Sequence, residues 1–361
     1  MSTLIDAASD PQVRASGIGS SDAAAVVGLD PYVTPLDLYL EKIGIVTERE
    51  ESEPAYWGKN LERVLLAEYA RRTETKVLGR SRSEAVIFYP DGTEHWRPGH
   101  ELMETLRHPD APWMFAHLDG VALTDDEVTP IAGIEAKTAG YWVGREFGED
   151  QNSDQVPENY LLQAVHAQEV LRGVIGIPLP WRFAVLIAGQ KWRTYQVGYS
   201  SELANVLLER EAEFLDRVQR REAPPPTPDA RGIEALRRLF PEDDGASLVV
   251  QPGSDLHTMA LQLRDAHAAR KAALDSYDEA RTHVMTFMGE HAKLVAPNGK
   301  TLVRWSKNKD GRAIDWQAIA AAFANEAGIS DSDQHRIIES FTTVKPGARV
   351  FDAQWIKTLT D

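Results

Sequence analysis

The stretches Leu118-Asp119-Gly120-Val121 and Gly133-Ile134-Glu135-Ala136-Lys137-Thr138 decide how this chain is read. Their flanks, Trp113-Met114-Phe115-Ala116-His117-Leu118 and Ile131-Ala132-Gly133-Ile134, read as short apolar strands. The polar run Thr124-Asp125-Asp126-Glu127-Val128-Thr129-Pro130 reads as the hairpin connection between them. Alternation along a strand puts Glu135 and Lys137 on one face. Buried ions cost several kcal/mol each unless they are paired or used. Two carboxylates and a lysine on adjacent apolar strands are therefore a candidate site, with ligands for a metal and the charges needed to act on a phosphodiester.

Working outward, residues 14 to 222 alternate helix and strand until Ala223-Pro224-Pro225-Pro226-Thr227-Pro228, a stiff polyproline-like linker, interrupts the pattern. Helices are expected near 20–28, 34–43, 56–72, 157–172 and 200–221. Ser21 or Asp22 suits the cap of the first, and Thr34 followed by Pro35 the start of the second. Strands are expected near 84–89, 113–123, 131–138, 181–188 and 191–199, the last two joined by a tight hairpin at Gly189-Gln190. The organisation is a core over 1–222, a linker over 223–231 and an extension over 232–361. In the extension, an apolar stripe from Leu256 to Phe287 marks one long helix or helical hairpin and reads as a packing seam. A turn-and-strand over 296–305, a final helix near 313–327 and an irregular tail follow.

With 361 residues, 43% of them hydrophobic, the chain is long enough for two domains and apolar enough for a real core. It has no cysteine, which excludes disulfides, thiolate zinc sites, cysteine nucleophiles and iron–sulfur clusters. It also has no apolar run of membrane-spanning length and no signal-peptide pattern, so a cytoplasmic location without membrane association is expected. The net charge of −16 argues against coating nucleic acid by bulk electrostatics. Any such contact must come from local patches, for which Arg71-Arg72, Arg80 with Arg82, Arg217 to Arg221, Arg237-Arg238 and Lys300 to Arg312 are candidates.

The Asp119/Glu135/Lys137 spacing carries little weight alone in a chain with 55 acidic residues. Three other segments give it context. Gly58-Lys59-Asn60-Leu61-Glu62 opens a helix on which Glu62 lies beside the apolar face of Leu61, Leu65 and Tyr69. Otherwise Glu62 is a solvated helix-start glutamate. Tyr160-Leu161-Leu162-Gln163 begins a second helix, where Gln163 can orient a water or a phosphate or simply bond a neighbouring element. His166 reads as a satisfied histidine rather than a ligand. Finally, Arg14-Ala15-Ser16-Gly17-Ile18-Gly19-Ser20-Ser21-Asp22 offers glycines, two hydroxyls and an arginine at a helix start, either a phosphate cradle or a capped helix after a flexible loop.

In this order, the segments resemble the YqaJ-type viral recombinase family, the phage lambda exonuclease-like branch of the PD-(D/E)xK nuclease superfamily. The likeness covers residues from about 14 to 200. It implies an α/β fold, a restriction-endonuclease-like core with a mixed central sheet flanked by helices, here with a mainly helical C-terminal extension. It implies that Asp119 and Glu135 bind Mg²⁺, for which Mn²⁺ can substitute. The Ala136 carbonyl would complete the shell, and Glu62 would support it directly or through water. Lys137 would position or help deprotonate the attacking water, and Gln163 would orient that water or the scissile phosphate. Arg14, with Ser20 or Ser21, would form a pocket for a terminal 5′-phosphate. One departure is that His117-Leu118 stands where the family often has a small residue or proline before the aspartate.

The activity so implied is a DNA exonuclease of phage recombination. It would digest one strand of a duplex from its 5′ end and expose 3′ single strands for a single-strand annealing recombinase. Its partners would be double-stranded DNA ends, that recombinase and further copies of itself in a homo-oligomer, a ring-shaped trimer by analogy. An endonuclease with the same site and a non-catalytic DNA-binding recombination protein are the alternatives.

Overall fold

The computed structural model of the protein describes residues 17–46, 52–81, 84–307 and 316–340. Arg14 of the expected phosphate pocket, and Arg82, Lys309 and Arg312 of the basic patches, lie outside them. The chain divides into two compact units, one ending at Pro241 and the other beginning at Glu242.

In the first unit β1 (Ile18–Gly19) leads through a 3-10 turn (Ser20–Asp22) into α1 (Ala23–Val26) and then α2 (Pro35–Lys42). The expected helix over 20–28 is thus a tight turn and a single helical turn. The start of α2 is a capping box: Thr34 Oγ1 accepts from Asp37 N at 3.1 Å, and Asp37 Oδ2 accepts from Thr34 N at 3.1 Å. The strands and helix that follow are α3 (Glu53–Thr73), β2 (Lys76–Ser81), β3 (Glu84–Phe88), β4 (Glu94–Trp96), β5 (Leu106–Arg107), β6 (Met114–Ala116), β7 (Gly120–Leu123) and β8 (Pro130–Ala139). Next come α4 (Glu158–Ile175), β9 (Trp181–Ile187), β10 (Lys191–Val197), α5 (Ser201–Arg220) and α6 (Ala230–Leu239).

Seven strands form the central sheet in the order β10-β9-β8-β7-β2-β3-β4. All neighbours are antiparallel except β8 and β9, which run parallel because α4 carries the chain back between them. It is a mixed sheet with helices on both faces, the α/β core expected. α3 covers one face, with Leu66, Tyr69 and Ala70 against Val77, Val86, Phe88, Ala122 and Ile134. α4 covers the other, with Ala164, Ala167, Val170 and Leu171 against Val121, Phe183 and Val185.

The single strand expected over 113–123 is two. Met114–Ala116 pairs with β1 and β5 in a separate small sheet, and the chain turns at His117-Leu118 before entering the central sheet at Gly120. Thr105 Oγ1 holds the turn through His117 Nε2 at 2.8 Å. The boundary expected at 222 also lies inside the first unit. α6 buries Ala235 with Leu36 and Phe214, and Arg238 pairs with Asp37 at 2.9 Å.

The second unit contains α7 (Asp255–Met288), the hairpin β11 (Lys293–Val295) and β12 (Thr301–Arg304), α8 (Trp316–Glu326) and α9 (Asp331–Ser340). The stripe on α7 read as a packing seam is exposed instead: Met259 61%, Tyr277 63%, Phe287 93%. Part of the tail expected to be irregular is α9.

Candidate active site

Register builds the site. Gly120 faces Ile134 across the β7–β8 ladder, so Asp119, one residue earlier, arrives opposite Glu135. Its carboxylate is fixed there, Oδ2 accepting from Ala136 N at 2.9 Å. The approach of α3 depends on the paired glycines Gly79 and Gly120. A Cβ on Gly79 would fall 2.7 Å from Leu66 Cδ1 and one on Gly120 2.9 Å from Leu66 Cδ2, so a side chain at either position would force Leu66 to move. One turn before Leu66 stands Glu62, and its charge is felt at Asp119.

From the other face α4 brings Gln163, whose Nε2 donates to Glu135 Oε1 at 2.5 Å. The same oxygen receives Lys137 Nζ at 2.7 Å, and that ammonium lies 5.1 Å from the centre of the Tyr160 ring. The expected grouping of Glu62, Asp119, Glu135, Lys137 and Gln163 therefore converges at the meeting of β7, β8, α3 and α4. Tyr160 is the participant that residue-by-residue reading missed. The tyrosine of the Tyr160-to-Gln163 segment was visible, but nothing in the sequence said that it faces Lys137.

The electrostatics are those of a surplus of negative charge. Burial, then the neighbouring Glu135 and Glu62, push the Asp119 carboxyl well above the ordinary carboxylate range, against the opposing pull of Lys137. Burial works against charge on Lys137, but the Glu135 and Asp119 carboxylates outweigh it and raise its proton affinity, so it remains an ammonium. Lys137 faces the two buried carboxylates of Asp119 and Glu135, and Glu62 adds negative charge felt at Asp119. Among the described residues no three His, Asp or Glu side chains are arranged to enclose a metal ion. The oxygen donors at hand are Asp119, Glu135 and the backbone at Ala136, with Glu62 contributing charge. That set suits a hard cation that keeps several of its waters.

A second buried charge cluster lies further along α4. His166 donates to or accepts from Glu211 Oε1 through Nδ1 at 2.8 Å, while its Nε2 meets Phe115 O at 2.9 Å. Lys42 Nζ pairs with Asp22 Oδ2 at 2.7 Å. His166 is thus the satisfied histidine expected, fully rather than partly buried, and it ties β6, four residues ahead of Asp119, to α4 and α5. α1 packs on the same helix, Ala23 and Ala24 meeting Leu162 and Val165. This carries Ser20 and Ser21 to α4. Ser21 is exposed, whereas Ser20 Oγ is buried without a hydrogen-bond partner among the described residues.

Residues 11–170 match the model of the YqaJ-like viral recombinase domain. A curated relative, the uncharacterized protein YqaJ of Bacillus subtilis (strain 168), is 29% identical over 234 residues, 64% of this chain and 62% of the relative. The match thus spans less than two thirds of that relative's length. Similar solved structures are the alkaline exonuclease LHK-Exo from Laribacter hongkongensis (14% identity, TM-score 0.39, covering 63% of this chain and 95% of that one) and LHK-Exo in complex with dAMP (15% identity, TM-score 0.39, covering 63% and 94%). The family that the order of the motifs resembles is therefore the one whose domain model residues 11–170 match.

Proposed function

We propose that the protein is a Mg²⁺-dependent DNA exonuclease of recombination. It hydrolyses one strand of linear duplex DNA from the 5′ end, so that a single-strand annealing recombinase can use the exposed 3′ strand. The observation that supports this most is the pairing of Asp119 and Glu135 across β7 and β8, with Lys137 2.7 Å from Glu135. Bound at Asp119, Glu135 and the Ala136 carbonyl, with Glu62 acting through water, Mg²⁺ (or Mn²⁺) would polarise a phosphoryl oxygen and acidify a water.

The chain's own residues do the rest. Lys137, 2.7 Å from Glu135, adds positive charge where negative charge develops on the phosphorus, and positions the attacking water or helps to deprotonate it. Gln163 holds Glu135 in orientation from α4 and turns its amide toward the same space. Tyr160 closes the apolar side of Lys137. In this reading Ser20 and Ser21, with Arg14, receive the terminal phosphate, and several copies of the chain surround the duplex.

The test is nucleotide release with Mg²⁺ from a 5′-phosphorylated linear duplex and from a covalently closed circle, by the wild type and by Asp119→Asn. Release from the linear duplex alone, lost in the variant, is expected. Breakdown of the closed circle would make the protein an endonuclease, and binding without release under any divalent cation would make it a non-catalytic DNA-binding protein.

A further inference from the structure

Most basic runs conspicuous in the sequence are neutralised by acids on their own helices. Arg71 and Arg72 both bond Glu68, Arg220 pairs with Asp216 at 2.8 Å and Arg237 with Glu234 at 3.3 Å. Cations far apart in sequence behave differently. Arg145, Lys191 and Arg193 line one cavity of ≈ 680 Å³ together with Tyr141, Trp192 and the Glu68-paired Arg72, and no carboxylate is in its lining. Among the described residues Arg145 and Lys191 have no ion-pair partner. Among the described residues the Arg193 guanidinium donates from Nη1, to Trp192 O at 3.0 Å, and its Nε is buried without a partner. Arg72 lies 5.2 Å from the centre of the Trp192 ring, while Tyr141 stands 62% exposed.

The register connects this cavity to the candidate active site. Lys137 pairs with Val185 and Val185 with Arg193, while Ala139 pairs with Ile187 and Ile187 with Lys191. Paired residues point to the same side of a sheet, so Lys191 and Arg193 share the face of Glu135 and Lys137. They lie two strands away, about 10 Å at ordinary strand spacing. A chain of net charge −16 repels nucleic acid except at such local concentrations of positive charge.

We propose that this cavity is a subsite for single-stranded nucleic acid, in which Arg145, Lys191 and Arg193 clamp a backbone phosphate and an unpaired base stacks on Tyr141. The proposal rests on DNA being the substrate and adds a contact to that reading, away from the scissile bond. A cavity of this size admits a phosphate and a base but not a duplex, and an aromatic face accepts any base, so the subsite holds the strand without reading its sequence.

The experiment measures binding of a fluorescent oligothymidylate to the full chain in chelator, where nothing is cut, across a salt series. Arg145→Ala with Lys191→Ala should weaken binding about tenfold and lower the salt slope by about 0.7 for each phosphate no longer neutralised. Tyr141→Ala should weaken it at least about fivefold with the slope unchanged, as a stacking interaction requires. Arg220→Ala, equally exposed but paired on its own helix, should bind as the wild type does. Unchanged affinity and slope in the double variant would overturn the proposal. So would displacement of the oligomer by an equal concentration of a deoxynucleoside monophosphate, which would mark a product pocket. Cleavage of linear duplex by the wild type with Mg²⁺ is measured separately. If the oligomer binds through this cavity and no DNA is cut, the subsite stands and the nuclease reading falls.

Discussion

Two buried charge clusters hang from α4, and they are built to opposite ends. Around His166 every charge has its complement: Lys42 meets Asp22 at 2.7 Å and the imidazole meets Glu211 at 2.8 Å. Around Glu135 two buried carboxylates, its own and that of Asp119, crowd one ammonium, and Glu62 adds further negative charge at Asp119. A cluster neutral in itself is a clasp, and its worth is structural. A cluster with more negative than positive charge suits a bound cation and is, in our reading, where the chemistry occurs.

Substitutions should break this contrast in opposite directions. Asp119→Asn should lower Mg²⁺-dependent hydrolysis by about a thousandfold or more, the equivalent of several kcal/mol of transition-state stabilisation. In chelator the same variant should melt no lower than the wild type, because it relieves carboxylate repulsion. His166→Ala should do the reverse. Leaving Glu211 buried without its partner should cost about 3–5 kcal/mol of stability in thermal or denaturant unfolding, with turnover per folded molecule largely retained. Hydrolysis intact in Asp119→Asn, or a His166→Ala protein as stable as the wild type, would each collapse the distinction.

Smaller effects sharpen it. Gln163→Ala leaves the proposed metal donors in place but frees Glu135 to turn, so Mg²⁺ affinity should fall about 10- to 100-fold, read from the Mg²⁺ dependence of the rate. The pH dependence of stability should carry the mark of the neutral clasp. Burial opposes charge on His166, but Glu211 overrides it and raises the imidazole above its ordinary value of 6.5. Burial likewise raises Glu211. Both groups bind protons more tightly when folded, so their contribution is fullest below the unfolded values and is lost as pH climbs through the raised ones. The wild type should therefore lose melting temperature toward alkaline pH more steeply than Glu211→Gln, in which burial acts on His166 without the carboxylate that raises it. Parallel curves would mean that the pair does not titrate with folding.

The order of Glu62, Asp119, Glu135, Lys137 and Gln163 was legible because each sits in a local pattern that fixes its element and its face. The alternation of Glu135 and Lys137 on an apolar strand needed no tertiary information. The break at His117-Leu118 was not legible, because its apolar flanks read as one strand and only the partners β1 and β5 divide it. β2 escaped notice because Lys76, Gly79 and Arg80 dilute its apolar pattern, and Gly79 is there to admit Leu66. The basic cavity was invisible for a different reason. Arg145, Lys191 and Arg193 are ordinary scattered cations in sequence, and it takes the β8-β9-β10 register to gather them, whereas the clustered arginines that drew attention are neutralised by their own helices. For α6, the proline run before it suggested a linker, and only its packing against α2 places it in the first unit.

Thermal unfolding of the wild type and Asp119→Asn, each in chelator and in excess Mg²⁺, tests the central claim most directly, because it reads cation binding without relying on catalysis. A ligand at about a hundred times its dissociation constant stabilises the folded state by about 2.7 kcal/mol. The wild type should show a clear rise in melting temperature with Mg²⁺, and Asp119→Asn should show none. An equal shift in both proteins, or no shift in the wild type, would contradict the assignment of Asp119 and Glu135 as the metal site.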